Sequence, residues 1–166
     1  MADNVTRRAR RVRLAIFDVD GVMTDGTLWF GPRGELMKAF NILDGHGVKL
    51  LQKAGIGTAL LSGRKSAAVA LRARELSIAH VIQGTGDDKV PQFERLLAKA
   101  GVKAEECSFM GDDIQDLAVM KRCGFRVAVV NAMPAVKKAA HYVTTAHGGR
   151  GAVREFCDLV LRAQEK

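Results

Sequence analysis

Two aspartates, Asp18 and Asp20, stand directly after a short apolar run, and their spacing points to chemistry on an anionic substrate. The run at about 14–19 is typical of a buried parallel strand, whose end lies at the sheet edge where α/β folds bind ligands. Two carboxylates so close together repel each other and are costly to bury unless a cation or a phosphoryl group uses them. The spacing therefore predicts a charged active site at the end of the first strand.

Three further sets of polar residues follow later parts of the chain. They are Ser62-Gly63-Arg64 after the apolar run at 56–61, Lys89 at the end of the polar segment 84–89, and Asp112, Asp113 and Asp116 after the run at 107–110. Each set alone has a plainer interpretation as a turn, a helix cap or a solvated surface group. Because the ends of parallel strands meet at one edge, their order along the chain predicts one common site.

The predicted site suits phosphoryl transfer. Asp18 and Asp112 would form a hard, oxygen-rich site for Mg²⁺, which takes one or two carboxylates together with waters and substrate phosphate. A carboxylate can attack phosphorus to form an aspartyl-phosphate, while Asp20 protonates the leaving oxygen and later activates water. Ser62 would donate its hydroxyl to a phosphoryl oxygen, and Lys89 would add a compact positive charge. The chain shows no sequence pattern for cysteine or zinc hydrolysis.

The elements that would position these residues alternate between strand and helix. Strands are predicted at about 14–19, 56–61, 80–82, 107–110 and 125–130, and helices at about 45–54, 65–76, 90–100, from 114, from 134 and near the end of the chain. A β-hairpin at 27–40 is the one exception to this alternation. The pattern predicts a three-layer, doubly wound α/β fold with a mostly parallel sheet, forming one domain over 14–166. The stretch between Asp20 and Ser62 is too short for a separate cap domain.

The composition bounds the class of protein. The chain has 166 residues, 48% of them hydrophobic, which suits one domain with a substantial core. No apolar run approaches the roughly 20 residues that span a bilayer, and the amino terminus lacks a secretory signal pattern. We therefore expect a cytoplasmic protein without a membrane partner. Cys107, Cys123 and Cys157 have neither disulfide nor zinc spacing and are expected to be buried.

The net charge of +8 is unevenly distributed along the chain. Five of the residues in 1–13 are arginines, and we expect a solvated, flexible basic leader there. A nucleic-acid or membrane arm is the alternative, although the run lacks the aromatic side chains that stack on bases. The moderate positive charge of the remaining chain suits an anionic substrate.

The order D-x-D-G, strand with Ser-Gly-Arg, lysine and G-D-D-x-x-D resembles the haloacid dehalogenase superfamily of phosphatases over nearly the whole chain after residue 13. The segment 84–89 is one residue longer than is usual in that superfamily, but it contains a single lysine. The resemblance implies a nucleophile (Asp18), a general acid and base (Asp20), phosphate-binding residues (Ser62, Gly63, Lys89), Mg²⁺ ligands (Asp18, Asp112 and the main-chain carbonyl of Asp20) and supporting acids (Asp113, Asp116).

Four further blocks resemble the family of 3-deoxy-D-manno-octulosonate 8-phosphate phosphatases. They are D-V-D-G-V-M-T-D-G from 18, K-A-F-N from 38, D-G-H-G-V from 44 and G-G-R-G-A-V-R-E from 148. This resemblance implies hydrolysis of a sugar acid phosphate in lipopolysaccharide precursor synthesis. It also implies a homotetramer whose hairpins associate and whose neighbouring subunits help to close each active site. Arg64 and Arg150 are candidate substrate contacts, Arg150 from its own or a neighbouring subunit.

Other functions stay open from the sequence. The substrate is alternatively a nine-carbon sugar acid 9-phosphate. A catalytically silent regulatory subunit of the same fold is a second alternative, disfavoured by the intact acidic set. A nucleic-acid-binding protein that uses residues 1–13 is a third. A phospho-acceptor receiver domain is excluded, because its acidic pair and its acceptor aspartate lie on different strands.

Overall fold

The computed structural model describes residues 2–165, within which strands and helices alternate along the chain. The strands are β1 (Leu14–Phe17), β2 (Trp29–Gly31), β3 (Gly34–Met37), β4 (Gly57–Ser62), β5 (His80–Gln83), β6 (Cys107–Gly111), β7 (Phe125–Ala128) and β8 (Tyr142–Val143). The α-helices are α1 (Ala2–Ala9), α2 (Ile42–Lys53), α3 (Ala67–Glu75), α4 (Val90–Ala100), α5 (Leu117–Met120), α6 (Pro134–Ala139) and α7 (Ala152–Ala163).

Six strands form one parallel sheet in the order β5-β4-β1-β6-β7-β8. All four residues of β1 are buried, as expected for a central strand that helices cover on both faces. Phe17 lies opposite Leu60 of β4 and Met110 of β6. This register brings the ends of three strands to the same edge. The predicted mostly parallel α/β fold is confirmed.

The core joins the sheet to the last helix through aromatic side chains. Phe156 of α7 contacts Phe17 edge to face, with ring centroids 5.8 Å apart, and lies 6.0 Å from Phe125. Such pairs stabilise a core beyond the area that they bury. The three cysteines are free and buried, as predicted. Burial raises the pKa of Cys107 to about 12, so this thiol stays protonated.

The structure differs from the predicted flexible leader at 1–13. The part that is described, from residue 2 onward, begins with helix α1, and Ala9 and Val12 are buried. Arg10 Nε donates to the carbonyl of Ala163, 2.9 Å away, at the end of α7. The arginines favoured a leader, but Val5 and Ala9, which are four residues apart, give α1 an apolar face.

The hairpin falls within the predicted range 27–40, with shorter strands. β2 and β3 pair antiparallel, and Gly34 has a φ of 108°, which a glycine adopts without strain. The hairpin and α2 occupy the chain between the loop after β1 and β4. Trp29 and Leu36 are 52% and 64% exposed.

Two smaller differences concern the second half of the chain. The helix predicted from 114 begins as a 3-10 turn and continues as the short α5. The two-residue strand β8, which extends the sheet beyond β7, was not predicted. Among the described residues, every helix is too short or too polar to span a lipid bilayer.

Candidate active site

The predicted catalytic residues meet where β1, β4 and β6 end. The main-chain N–H of Asp18 donates to the carbonyl of Met110, 3.0 Å away, and so extends the pairing of β1 with β6. A cleft of about 300 Å³ opens above these strand ends. Its lining residues are Asp18, Asp20, Ser62, Gly63, Arg64, Gly86, Asp87 and Gln115. The structure therefore brings Asp18, Asp20 and Ser62 to one concave surface.

Lys89 lies beneath the cleft, completely buried. It immediately precedes α4, and its Nζ lies 3.0 Å from Asp18 Oδ1 and 2.7 Å from Asp116 Oδ1. Burial alone would lower the pKa of Lys89, but the charges of the two carboxylates and their hydrogen bonds raise it. A lysine in this position stays charged and fixes the orientation of the Asp18 carboxylate.

Asp116 organises the loop after β6. Its Oδ2 accepts the main-chain N–H groups of Asp112 at 2.9 Å and Asp113 at 3.2 Å, and its Oδ1 accepts from Lys89. Asp113 is exposed, and its carboxylate accepts the N–H of Ile114 at 2.7 Å. Asp116 is therefore placed to hold Asp112, while Asp113 caps the following 3-10 turn.

The site concentrates negative charge. Burial, followed by the neighbouring charge of Asp116, raises the pKa of Asp18 to about 7, against the opposing effect of Lys89. Burial and then the charge of Asp18 raise the pKa of Asp112 to about 8. Groups of the same charge that titrate so far from their ordinary values need a positive partner to be ionised together.

These residues fit a divalent cation. Carboxylate oxygens of Asp18, Asp112 and Asp116 all lie within 4.8 Å of one another. Because Asp116 already accepts from Lys89 and two main-chain amides, Asp18 and Asp112 are the carboxylates with free ligand capacity. Gly21 permits this approach, since a Cβ there would lie 2.0 Å from Asp112 Oδ2. The donor set of hard oxygens matches Mg²⁺. The carbonyl of Asp20 as a further ligand stays a prediction.

The hairpin contributes two residues, Glu35 and Lys38, that were not predicted as site residues from the sequence. The side chain of Lys38 is 1% exposed and forms ion pairs with Asp20 Oδ1 and, at 3.2 Å, with Glu35 Oε2. Arg64 Nε lies 3.6 Å from Asp20 Oδ2, and Ser66 donates to Glu35. Lys38 begins the block K-A-F-N, which carries part of the family resemblance. Its contact with Asp20 depends on how the hairpin folds and could not be predicted from the sequence.

The side of the cleft next to Gly63 is formed by two close loops. A Cβ on Gly63 would lie 2.8 Å from the carbonyl of Gly86, so the loop after β5 can pass closely over the end of β4. The N–H of Gly86 donates to the carbonyl of Gly63 at 3.2 Å. Asp87 and Gln115, which also line the cleft, carried no recognisable signal in the sequence.

Arg150 does not line the cleft. Its side chain is 71% exposed, and its Nη2 lies 3.4 Å from Asp25 Oδ2. It borders a separate hollow of about 150 Å³ together with Phe40 and Asn41. Within one protomer, the structure therefore places Arg150 outside the lining of the cleft that contains Asp18.

Comparisons with known proteins identify the family of this chain. Residues 77–156 match the family model of haloacid dehalogenase-like hydrolases. The parallel sheet with its acidic cluster thus defines a hydrolase of the haloacid dehalogenase class. The chain is 46% identical over 166 residues to 3-deoxy-D-manno-octulosonate 8-phosphate phosphatase of Yersinia pestis, covering 100% of this chain and 88% of that one. The chain belongs to the family of 3-deoxy-D-manno-octulosonate 8-phosphate phosphatases.

Solved structures extend the comparison. The crystal structure of the Yersinia pestis phosphatase superposes with a TM-score of 0.96, covering 99% of this chain and 88% of that chain. The phosphatase of Moraxella catarrhalis is 39% identical, with a TM-score of 0.94, and covers 98% of this chain and 93% of that chain. That structure is a complex with a magnesium ion, a phosphate ion and the sugar acid KDO.

Proposed function

We propose that this protein is a Mg²⁺-dependent phosphatase that hydrolyses 3-deoxy-D-manno-octulosonate 8-phosphate to the free sugar acid and phosphate. The carrying observation is the cluster of Asp18, Lys89, Asp112 and Asp116 at the base of the cleft, in a member of this phosphatase family. The Moraxella catarrhalis complex supports both the metal and the sugar acid. The reaction belongs to the synthesis of lipopolysaccharide precursors, as the family implies.

Asp18 carries out the first chemical step. One carboxylate oxygen attacks phosphorus, and the new oxygen–phosphorus bond forms as the bond to the sugar's ester oxygen breaks. Asp20 protonates that leaving oxygen, which produces the free sugar acid and an aspartyl-phosphate on Asp18. Lys38 and Arg64 contact the carboxylate of Asp20 and hold it at the cleft.

Water completes the cycle. Asp20, now ionised, takes a proton from a water molecule, whose oxygen attacks the phosphorus of the aspartyl-phosphate. The bond between phosphorus and Asp18 breaks, so inorganic phosphate leaves and the carboxylate is restored. Asp20 keeps this proton, which restores the acid that protonates the leaving oxygen in the next turnover.

The site must also neutralise the negative charges of its carboxylates and of the phosphate ester. Asp18, Asp112 and the carbonyl of Asp20 would hold Mg²⁺, which supplies the neutralisation that lets an anionic carboxylate approach an anionic ester. The Ser62 hydroxyl donates to a phosphoryl oxygen, with Gly63 leaving room beside it. Lys89 balances the charge of Asp18 from below. Arg64 extends from the cleft wall toward the sugar acid carboxylate or hydroxyls.

We also propose that the working assembly is a homotetramer formed through the hairpins. Support comes from the exposed apolar side chains on and next to the hairpin, which are Leu28, Trp29, Phe30, Leu36 and Met37. Several exposed apolar side chains on one hairpin favour association, and the site has no cap domain of its own to exclude water. Arg150 is then placed to reach substrate in its own or a neighbouring subunit.

The proposed surroundings are those of a small-molecule enzyme. A cytoplasmic location matches a sugar acid phosphate substrate, and cell fractionation tests it. The nucleic-acid alternative loses support because two arginines of the basic segment contact main-chain carbonyls: Arg8 Nη1 lies 2.6 Å from Gly124 O, and Arg10 contacts Ala163.

A phosphate-release assay tests the function. We expect turnover of the 8-phosphate with Mg²⁺, lower turnover of a nine-carbon sugar acid 9-phosphate, and none with excess EDTA. Asp18→Asn should abolish turnover, by about 10³-fold or more, because an amide is a poor nucleophile. Its circular dichroism spectrum should match that of the wild type. Preference for the 9-phosphate would transfer the assignment to that substrate, and inactivity on every sugar phosphate would favour the silent subunit.

A further inference from the structure

Asp44 is a fully buried carboxylate outside the cleft, and its partners lie at the start of α7. Its Oδ1 accepts the N–H of Arg154 at 2.8 Å, and its Oδ2 accepts the N–H of Gly151 at 3.3 Å. Gly151 is the residue that caps α7, and it has no side chain to satisfy these amides. Asp44, on α2, therefore acts as the missing cap from a different helix.

The segment that α7 follows, 148–151, rests on the loop after β1. The N–H of Gly149 donates to the carbonyl of Val22 at 2.9 Å, and the N–H of Gly148 donates to Asn131 Oδ1 at 2.9 Å. A Cβ on Gly148 would lie only 1.8 Å from the carbonyl of Gly21, so the two loops are in direct contact. Gly21 follows Asp20 in the chain. The glycine segment is thus held against the catalytic loop at one end and by Asp44 at the other.

Arg150 lies between these two anchors. Asp25, which pairs with it, belongs to the same catalytic loop. The hollow beside Arg150 is bordered by Asn41, and the Asn41 side chain accepts the N–H of Asp44 at 3.3 Å. The start of α2 and the start of α7 therefore fix the backbone from which Arg150 projects.

We propose that Asp44 is a positioning residue for substrate binding: through the amino terminus of α7 it holds the glycine segment and Arg150 in the orientation that receives the sugar acid. The inference rests on the proposed function. A buried carboxylate is costly unless it is fully hydrogen-bonded, and here the main-chain amides that donate to it belong to this one helix end. The position of the glycine segment therefore depends on a charged hydrogen-bond acceptor, which an apolar side chain packed in the same place would not supply.

Kinetics of Asp44→Asn and Asp44→Ala on two substrates test the proposal. With 3-deoxy-D-manno-octulosonate 8-phosphate, we expect KM to rise about 5- to 20-fold, more in the alanine variant, because the asparagine keeps one acceptor oxygen. With 4-nitrophenyl phosphate, which has no sugar acid, kcat/KM should stay within about twofold. Asp158→Asn is the matched control, since Asp158 pairs with Arg154 Nε at 2.8 Å on the outer side of α7. It should leave both substrates unchanged.

A double variant shows whether Asp44 acts through Arg150. If it does, Asp44→Asn combined with Arg150→Ala should be no worse than Arg150→Ala alone, because both remove the same contact. Independent, multiplicative losses would overturn the proposal, as would equal losses on both substrates or the same loss in Asp158→Asn. If Asp44→Ala fails to fold, the asparagine variant carries the test.

Failure of the proposed function gives a different result. A wild-type protein that hydrolyses 4-nitrophenyl phosphate but not the 8-phosphate would contradict the substrate assignment alone. Hydrogen exchange at the amides of Gly151 and Arg154 then tests Asp44 directly. Exchange should be faster in Asp44→Asn and unchanged in Asp158→Asn, whereas unchanged exchange in Asp44→Asn would overturn the positioning role.

Discussion

At the scale of single residues, the carboxylate of Asp112 makes stability depend on pH when no metal is bound. Its pKa is about 8 in the folded protein, raised by burial and by Asp18, against 3.8 as its ordinary value. Between these values the folded state binds a proton that the unfolded chain does not, so the free energy of unfolding falls as pH rises through this window.

Asp112→Asn should remove this dependence. In urea denaturation with EDTA, we expect the variant to be more stable than the wild type at pH 8 by several kcal/mol, since each unit of pKa difference is worth about 1.4 kcal/mol, and to differ little at pH 4. With Mg²⁺ the order should reverse at pH 8, because the metal binds and stabilises only the wild type. Glu94→Gln, on the exposed face of α4, is the control. If the wild type and Asp112→Asn showed the same change in unfolding free energy between pH 4 and 8 in EDTA, the raised pKa of Asp112 would be contradicted.

Lys38 supports a second prediction at this scale. Lys38→Met leaves Asp20 and Glu35 without their buried cation, so we expect a loss of about 3 kcal/mol in stability and a fall in kcat of about 10-fold or more. Equilibrium unfolding and steady-state kinetics measure the two effects. Lys65→Met, which changes an exposed lysine, should change neither. A stable, fully active Lys38→Met variant would contradict the role of the hairpin in holding Asp20.

Residues of the site differ in how visible they are in the sequence. Asp18, Ser62 and Asp112 could be predicted because each follows an apolar run, and the parallel sheet brings such ends together. The roles of Lys38 and Asp44 could not be predicted, because their partners lie on other elements. The spacing of residues along the chain does not indicate which distant group a buried charge contacts. Both residues stand in blocks that the family resemblance singled out, so their positions were noted without their contacts.

At the scale of elements, α1 is the clearest departure from expectation. Its arginines suggested a solvated leader, but packing against α7 decides its structure. Gln164 Nε2 donates to the carbonyls of Ala9 and Val12, at 3.1 and 2.8 Å, which links both ends of the chain. The helical spacing of Val5 and Ala9 was present in the sequence, but the five arginines of 1–13 were given more weight.

Deletion of residues 2–9 tests this packing. We expect unfolding free energy to fall by about 2–4 kcal/mol, because the deletion removes buried Ala9 and the contacts of Arg8. KM and kcat should stay within about twofold, since α1 precedes β1 and the cleft lies at the opposite ends of the strands. Replacing Arg7 and Arg11 with serine keeps the helix and serves as the control. Tight, salt-sensitive RNA binding that the deletion abolishes would instead support a nucleic-acid function.

At the scale of the whole molecule, the active-site cleft and the apolar hairpin are both exposed to solvent in a single protomer. The cleft opens to solvent above Asp18 and Asp20, while the apolar hairpin beside it is half exposed in a single protomer. Two strands alone are marginally stable, and phosphoryl transfer benefits from the exclusion of water. Association of hairpins would answer both needs at once, because burying the apolar surface also brings neighbouring chains to the cleft.

Trp29→Asp combined with Leu36→Asp therefore has two linked consequences. Light scattering after size-exclusion chromatography should show smaller species than the wild type, since two charges are costly in an apolar interface. KM for the sugar acid phosphate should rise about 10-fold, whereas turnover of 4-nitrophenyl phosphate should change less, because Asp18 and Lys89 remain within each protomer. Val81→Asp, on the edge strand β5, is the control for an added surface charge. A monomeric wild type, or a dissociated variant with unchanged KM, would separate assembly from substrate binding and leave the exposed hairpin without a part in catalysis.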